Sequence, residues 1–210
     1  MKTKRKALLL SLCAVLLVVA SVMGTMAYLT STDTVTNTFT VGNVQITLDE
    51  AKVNPDGTLV PNAERVKANS YKLLPGRTYI KDPTVTVKAG SESSYIKMTV
   101  TFSKAAELDA IFAPTGGANL TSIFNGYDSA NWIAKGSTTA ANTRTYEFWY
   151  KEAVAAPTAD VVLDALFDSI TVPGSITKEQ LATIEGLTIT VNAYAIQAAG
   201  FANAEEAWAA

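Results

Sequence analysis

One pattern constrains this chain more than any other: apolar and polar residues alternate with a period of two in segment after segment. Between Ser94 and Phe102, the residues Ile96, Met98, Val100 and Phe102 fall on one face, and Lys97, Thr99 and Thr101 on the other. A period of two marks an extended strand with one buried face, because successive side chains of a strand point to opposite sides. Val44, Ile46 and Leu48 alternate with Gln45, Thr47 and Asp49 in the same way. So do Val85 and Val87 with Thr84 and Thr86, and Leu187, Ile189 and Val191 with Thr188, Thr190 and Asn192. The aromatic run Tyr146-Glu147-Phe148-Trp149-Tyr150 reads as a further strand.

The punctuation between these runs is that of short β connections. Asn54-Pro55-Asp56-Gly57 sets a proline where φ is already fixed and a glycine where φ turns positive, which predicts a hairpin or tight loop. Pro75-Gly76 and Pro173-Gly174 predict two more turns. Short strands separated by such turns point to an all-β fold, an antiparallel β-sandwich with a few short helices. The helices follow from their caps. Thr177-Lys178-Glu179-Gln180 is a capping-box pattern that predicts a helix over about 178–184, with Gly186 as its stop. Asn203 caps a final turn whose Glu205 and Glu206 suit the positive end of the helix dipole, and Trp208 is expected to pack that turn onto the sheet. Residues 105–141, rich in Gly, Asn, Ser and Ala, read as a loop-rich insertion with at most short helical pieces, and not as a separate domain.

The N-terminus has its own logic. Lys2, Lys4, Arg5 and Lys6 precede an apolar run from Ala7 to Met23, and Gly24-Thr25-Met26-Ala27 closes it with small side chains. A basic, an apolar and a small-residue region in that order predict an export signal over residues 1–27, cut between Ala27 and Tyr28. The other reading is a transmembrane anchor, but the apolar run falls short of the roughly 20 residues that span a bilayer, and no basic stop-transfer cluster follows it. Cys13 lies within the apolar run behind Leu12, where a lipoprotein cysteine would need a small neighbour, and is expected to leave with the signal. Residues 28–210 then form one secreted domain that touches the membrane only through the uncleaved signal.

Composition removes most chemistries. Without residues 1–27 the chain carries 13 basic and 19 acidic side chains, a formal charge of about −6, so a basic nucleic-acid footprint is absent. Histidine is absent throughout, which excludes His-based serine and cysteine triads and deprives zinc of its usual ligand. The only cysteine leaves with the signal. No catalytic residue, metal ligand or cofactor site is expected, and the chain does not read as an enzyme. Carboxylates are what remain. Asp160, Asp164 and Asp168 recur every four residues, which would set them on one helix face, either as a solvated face or as weak carboxylate-only calcium ligands. Asn119-Leu120-Thr121 fits a glycosylation sequon by chance, and Leu74-Pro75-Gly76-Arg77-Thr78 is only superficially like a sortase signal, lying mid-chain with no apolar tail behind it.

Three stretches together resemble the TasA/camelysin family of secreted proteins of Gram-positive bacteria. The first runs from Gly24-Thr25-Met26-Ala27-Tyr28-Leu29-Thr30 into Asn37-Thr38-Phe39-Thr40-Val41-Gly42-Asn43-Val44. The second is Leu74-Pro75-Gly76 with Lys81-Asp82-Pro83-Thr84-Val85-Thr86-Val87 and Tyr95-Ile96-Lys97-Met98. The third is the segment 195–201 with Glu205-Glu206-Ala207-Trp208. Residues 105–165 carry no part of the resemblance. The resemblance implies a jelly-roll sandwich, export by a dedicated signal peptidase, and a place in the extracellular biofilm matrix or at the cell surface. For the TasA branch it further implies fibres in which the N-terminal strand of one subunit completes the sheet of the next, so the expected partners are further copies or related matrix subunits.

The residues behind the cut suit that role. Val35, Asn37, Phe39 and Val41 alternate with Thr34, Thr36, Thr38 and Thr40, so residues 28–41 form a β-prone ribbon with one partly apolar side, a donor strand for an open sheet edge. The ribbon can equally fold back as the subunit's own edge strand. Two other functions stay open: a cell-surface binding module or adhesin that holds its ligand in residues 105–141, and a camelysin-like metalloprotease, for which the missing histidines leave little material.

Overall fold

A computed structural model describes residue 6 and residues 11–18, 42–112 and 120–210. The chain divides at Gly42 into two units. In the first, residues 11–18 are helical. Among the described residues no helix is long and apolar enough to cross a membrane.

The second unit is built mostly of antiparallel β-sheet. Its strands are β1 (Ile46–Asp49), β2 (Thr78–Ile80), β3 (Thr84–Val87), β4 (Ser94–Ser103), β5 (Phe124–Asn125), β6 (Trp132–Ala140), β7 (Thr143–Tyr150), β8 (Val161–Val162), β9 (Ser169–Thr171) and β10 (Ile189–Gln197). Among the described residues four short helices accompany them: α1 (Ala105–Phe112), α2 (Leu120–Ile123), α3 (Lys178–Thr183) and α4 (Ala204–Ala209). The strands make three sheets in the orders β1-β3-β8, β10-β4-β7-β6 and β2-β9-β5, and every pairing is antiparallel.

The period-two segments do what the alternation requires. In β4 the burial alternates along all ten residues, with Ile96, Met98 and Val100 fully buried and Lys97, Thr99 and Thr101 on the wetter face. Val85 and Val87 of β3 share one apolar cluster with those residues, and with Tyr146 and Phe148 of β7 and Trp132 of β6. Apolar side chains from two sheets thus make a common core. α3 has the full capping box: Thr177 Oγ1 accepts from the Gln180 N–H at 3.2 Å, and Gln180 Oε1 accepts from the Thr177 N–H at 2.9 Å. The Asn203 side chain caps α4 through the Glu206 N–H at 2.9 Å. Trp208 lies against Trp149 of β7, with Lys97 Nζ 4.3 Å from its ring centre.

Two expectations need correction. Asp160, Asp164 and Asp168 do not share a helix face, because residues 161–162 form strand β8 and residues 169–171 form β9. The backbone is extended there because it pairs with β3 and continues past it, the Leu163 N–H donating to Val85 O at 2.9 Å. The carboxylates go to three separate tasks. Asp160 pairs with Lys88 and accepts from the Ala89 N–H, Asp164 accepts from Asn131 Nδ2 at 3.0 Å, and Asp168 packs its carboxylate against Gly126. No group of three or more metal-ligating side chains occurs among the described residues.

The segment 105–141 is more than a loop-rich insertion, since it contributes α1, α2, β5 and the nine-residue strand β6. β6 has no alternation to read because all but Trp132 is exposed: among the described residues it pairs with β7 alone, at the edge of its sheet. Its register shifts by one residue between Ala134 and Gly136, a bulge beside Lys135. Bulges and lysines are both devices that blunt a free edge.

Candidate functional site

The feature that stands out is an open groove of about 1180 Å³ between the edge of β1 and the edge of β10. The parity of the backbone hydrogen bonds defines it. In an antiparallel ladder, alternate residues turn both N–H and C=O toward the same neighbour. The Lys88 N–H donates to Gln45 O at 2.9 Å, so the odd residues of β1 face β3. Glu50, of opposite parity, exchanges two 2.8 Å bonds with Val66 on the outer side. Ile46 and Leu48 therefore direct their peptide groups into the groove. On β10, the Ala198 N–H donates to Ser93 O at 2.7 Å and the Ser103 N–H to Thr188 O at 3.1 Å, so the even residues face β4. Ile189, Val191, Ala193 and Ala195 direct their peptide groups away from it. Among the described residues no backbone hydrogen bond joins β1 to β10.

The floor of the groove is apolar and incompletely covered. Ile46, Leu48, Leu187, Ile189 and Val191 pack on the core cluster from one side and stay half-buried. Exposed Lys67, Lys72, Lys178 and Glu185 stand on its rim. Parts of the two edges lie within 8 Å of each other, Cα to Cα, so an extended segment laid here pairs with one margin at a time, meeting donors and acceptors that are unpaired among the described residues and apolar side chains beneath.

At one end the groove reaches a buried polar knot. Lys81 follows β2, Glu50 follows β1, and both are 7 % exposed. Lys81 Nζ donates to Glu50 Oε2 at 2.5 Å, and Asn69 Nδ2 donates to the other oxygen, Oε1, at 2.9 Å. The Asn69 amide is held on all sides: Nδ2 also donates to Ala51 O at 2.8 Å, and Oδ1 accepts from the Val53 N–H at 3.0 Å. Tyr71 closes the group, donating to Ile80 O at 3.1 Å. Burial pushes the Tyr71 phenol well above its usual range, and the nearby Glu50 carboxylate adds to the rise. Next to the knot, Arg65 ties Asp49 to Asp82, reaching Asp82 Oδ2 at 2.8 Å and Thr84 Oγ1 at 2.9 Å. Charge is thus compensated wherever the floor is buried.

The residues expected to carry function from the sequence, Ala27 and Tyr28 at the cut and Val35, Asn37, Phe39 and Val41 in the ribbon, lie outside the described residues. The groove-lining strands were legible from their alternation, but the opening between them was not, because pairing partners leave no mark in a single strand's pattern. Glu50, Asn69 and Lys81 were missed as a group. They lie 19 and 12 residues apart, and no local spacing signals that one carboxylate bridges the other two. The chain matches no family model, no curated protein and no solved structure.

Proposed function

We propose that this chain is a secreted, non-enzymatic structural protein with a jelly-roll-like sandwich that builds or joins extracellular matrix fibres by β-strand addition. The observation that carries the reading is the groove, where two strand edges with peptide groups unpaired among the described residues flank a half-buried apolar floor. Its occupant is residues 28–41 of a second copy. That ribbon alternates Val35, Asn37, Phe39 and Val41 with threonines, so it offers one side to the floor and a full row of peptide groups to the margins. Removal of residues 1–27 frees the ribbon from the membrane, which makes the dedicated signal peptidase the trigger for assembly.

The test compares the chain beginning at Tyr28 with one beginning at Gly42, by size exclusion and electron microscopy. Fibres from the first and monomers from the second support the reading, and monomers from both under fibre-forming conditions refute it. Val191→Pro sharpens the comparison. It removes a groove-facing N–H while leaving the β4 ladder intact, so it should stop growth without unfolding the monomer.

A further inference from the structure

The knot of Lys81, Glu50 and Asn69 sets a buried amine and a buried carboxylate beside a half-buried carboxamide, and we infer that Lys81 and Asn69 join covalently through an intramolecular amide. An ordinary buried ion pair explains Lys81 and Glu50. The second carboxylate oxygen also accepts from a side-chain amide that is itself fixed at every polar atom. That arrangement contains the parts of an acyl transfer.

Asn69 Cγ is the electrophile. The Val53 N–H, 3.0 Å from Oδ1, polarises the carbonyl and lies where negative charge gathers when Cγ becomes tetrahedral. Lys81 Nζ is the nucleophile once it has passed a proton to Glu50 Oε2, 2.5 Å away. Glu50, hydrogen-bonded to both nitrogens, then carries protons from the incoming to the leaving one. The step balances. The Nζ–Cγ bond forms and the Cγ–Nδ2 bond breaks. Two protons move from the lysine ammonium to Nδ2, which departs as ammonium, and Glu50 ends as the carboxylate it began as. No oxidant, reductant or co-reactant is needed. The adjoining groove gives the released ammonium a way out. Both groups come from one folded chain and bond to the same carboxylate, so the reaction is intramolecular and occurs once per molecule.

The test is a tryptic peptide map of the purified full chain, read by mass spectrometry. A bond at Lys81 blocks cleavage there and ties the peptide 68–72 to the peptide 78–88, the pair lighter than its sum by one ammonia. Glu50→Gln should restore cleavage after Lys81 and leave the peptides 68–72 and 78–81 free at full mass, and Lys81→Arg should leave no cross-link, while circular dichroism checks that each variant folds. Finding peptides 68–72 and 78–81 separate and unmodified in the wild-type chain overturns the proposal without any variant. A cross-link that persists undiminished in Glu50→Gln overturns the role given to Glu50. Neither result bears on fibre formation, so this inference and the proposed assembly fail separately.

Discussion

Gly57 is the residue where backbone geometry tolerates least. It has φ +83° in the turn that Asn54-Pro55-Asp56 opens, and a Cβ there would lie 2.7 Å from the Cα of Tyr79. The obstacle is main chain and does not rotate away. Gly57→Ala should therefore cost about 2–4 kcal/mol, combining left-handed strain with overpacking, as read from urea unfolding of the chain. Ser94 presents the opposite case. It is fully buried in β4, and its Oγ has no hydrogen-bond partner among the described residues. An unsatisfied buried hydroxyl is a standing penalty, so Ser94→Ala should raise stability by about 0.5–1 kcal/mol in the same assay. The glycine was legible, since Asn-Pro-Asp-Gly states its own turn. The burial of the serine was legible from its parity with Ile96, Met98 and Val100, but its missing partner was not, because no strand pattern shows where a hydroxyl finds an acceptor.

At the scale of elements, legibility follows locality. α3 and α4 were readable because each carries its cap within three residues. α1 was not, and its structure says why. Lys104 before it has no side-chain acceptor to offer, and the cap comes from Asn142, whose Oδ1 accepts from the Ala106 N–H and whose carbonyl accepts from the Ala105 N–H, both at 2.9 Å. Asn142 is also the second residue of the two-residue turn joining β6 to β7, with φ +60° after Ala141 at +47°. Asparagine tolerates that conformation better than other non-glycine residues. One side chain thus serves a hairpin and a helix. Asn142→Ala should cost about 2 kcal/mol and loosen α1 first, visible as faster hydrogen exchange at Ala105 and Ala106 than in the core of β4. The short strands β2, β5, β8 and β9 were unreadable for a related reason: two or three residues are too few to establish any period.

For the whole molecule, burial of phenols sets a pH limit. Tyr71, Tyr127, Tyr146 and Tyr150 all have their pKa raised, each chiefly by burial. The folded chain therefore holds protons that the unfolded chain releases near pH 10. Their contribution to stability is whole below that value and declines as pH climbs through the higher folded values. Urea midpoints should hold steady approaching pH 10 and fall beyond it, and a midpoint that rises there would contradict the burial of these rings. The all-β character of the chain was legible because a common core forces the same period on β1, β3, β4, β7 and β10. The groove was not, because it is a relation between two margins 140 residues apart.

The remaining margins of the sheets bear on what such an assembly can become. β6 is kinked by its bulge and guarded by Lys135, β5 and β8 are two residues long, and β2 is three. Under the proposed mode of association, each molecule then has one socket and one plug, a valence of two. Units of valence two grow end to end into unbranched threads, and a gel of them needs a second component to cross-link it.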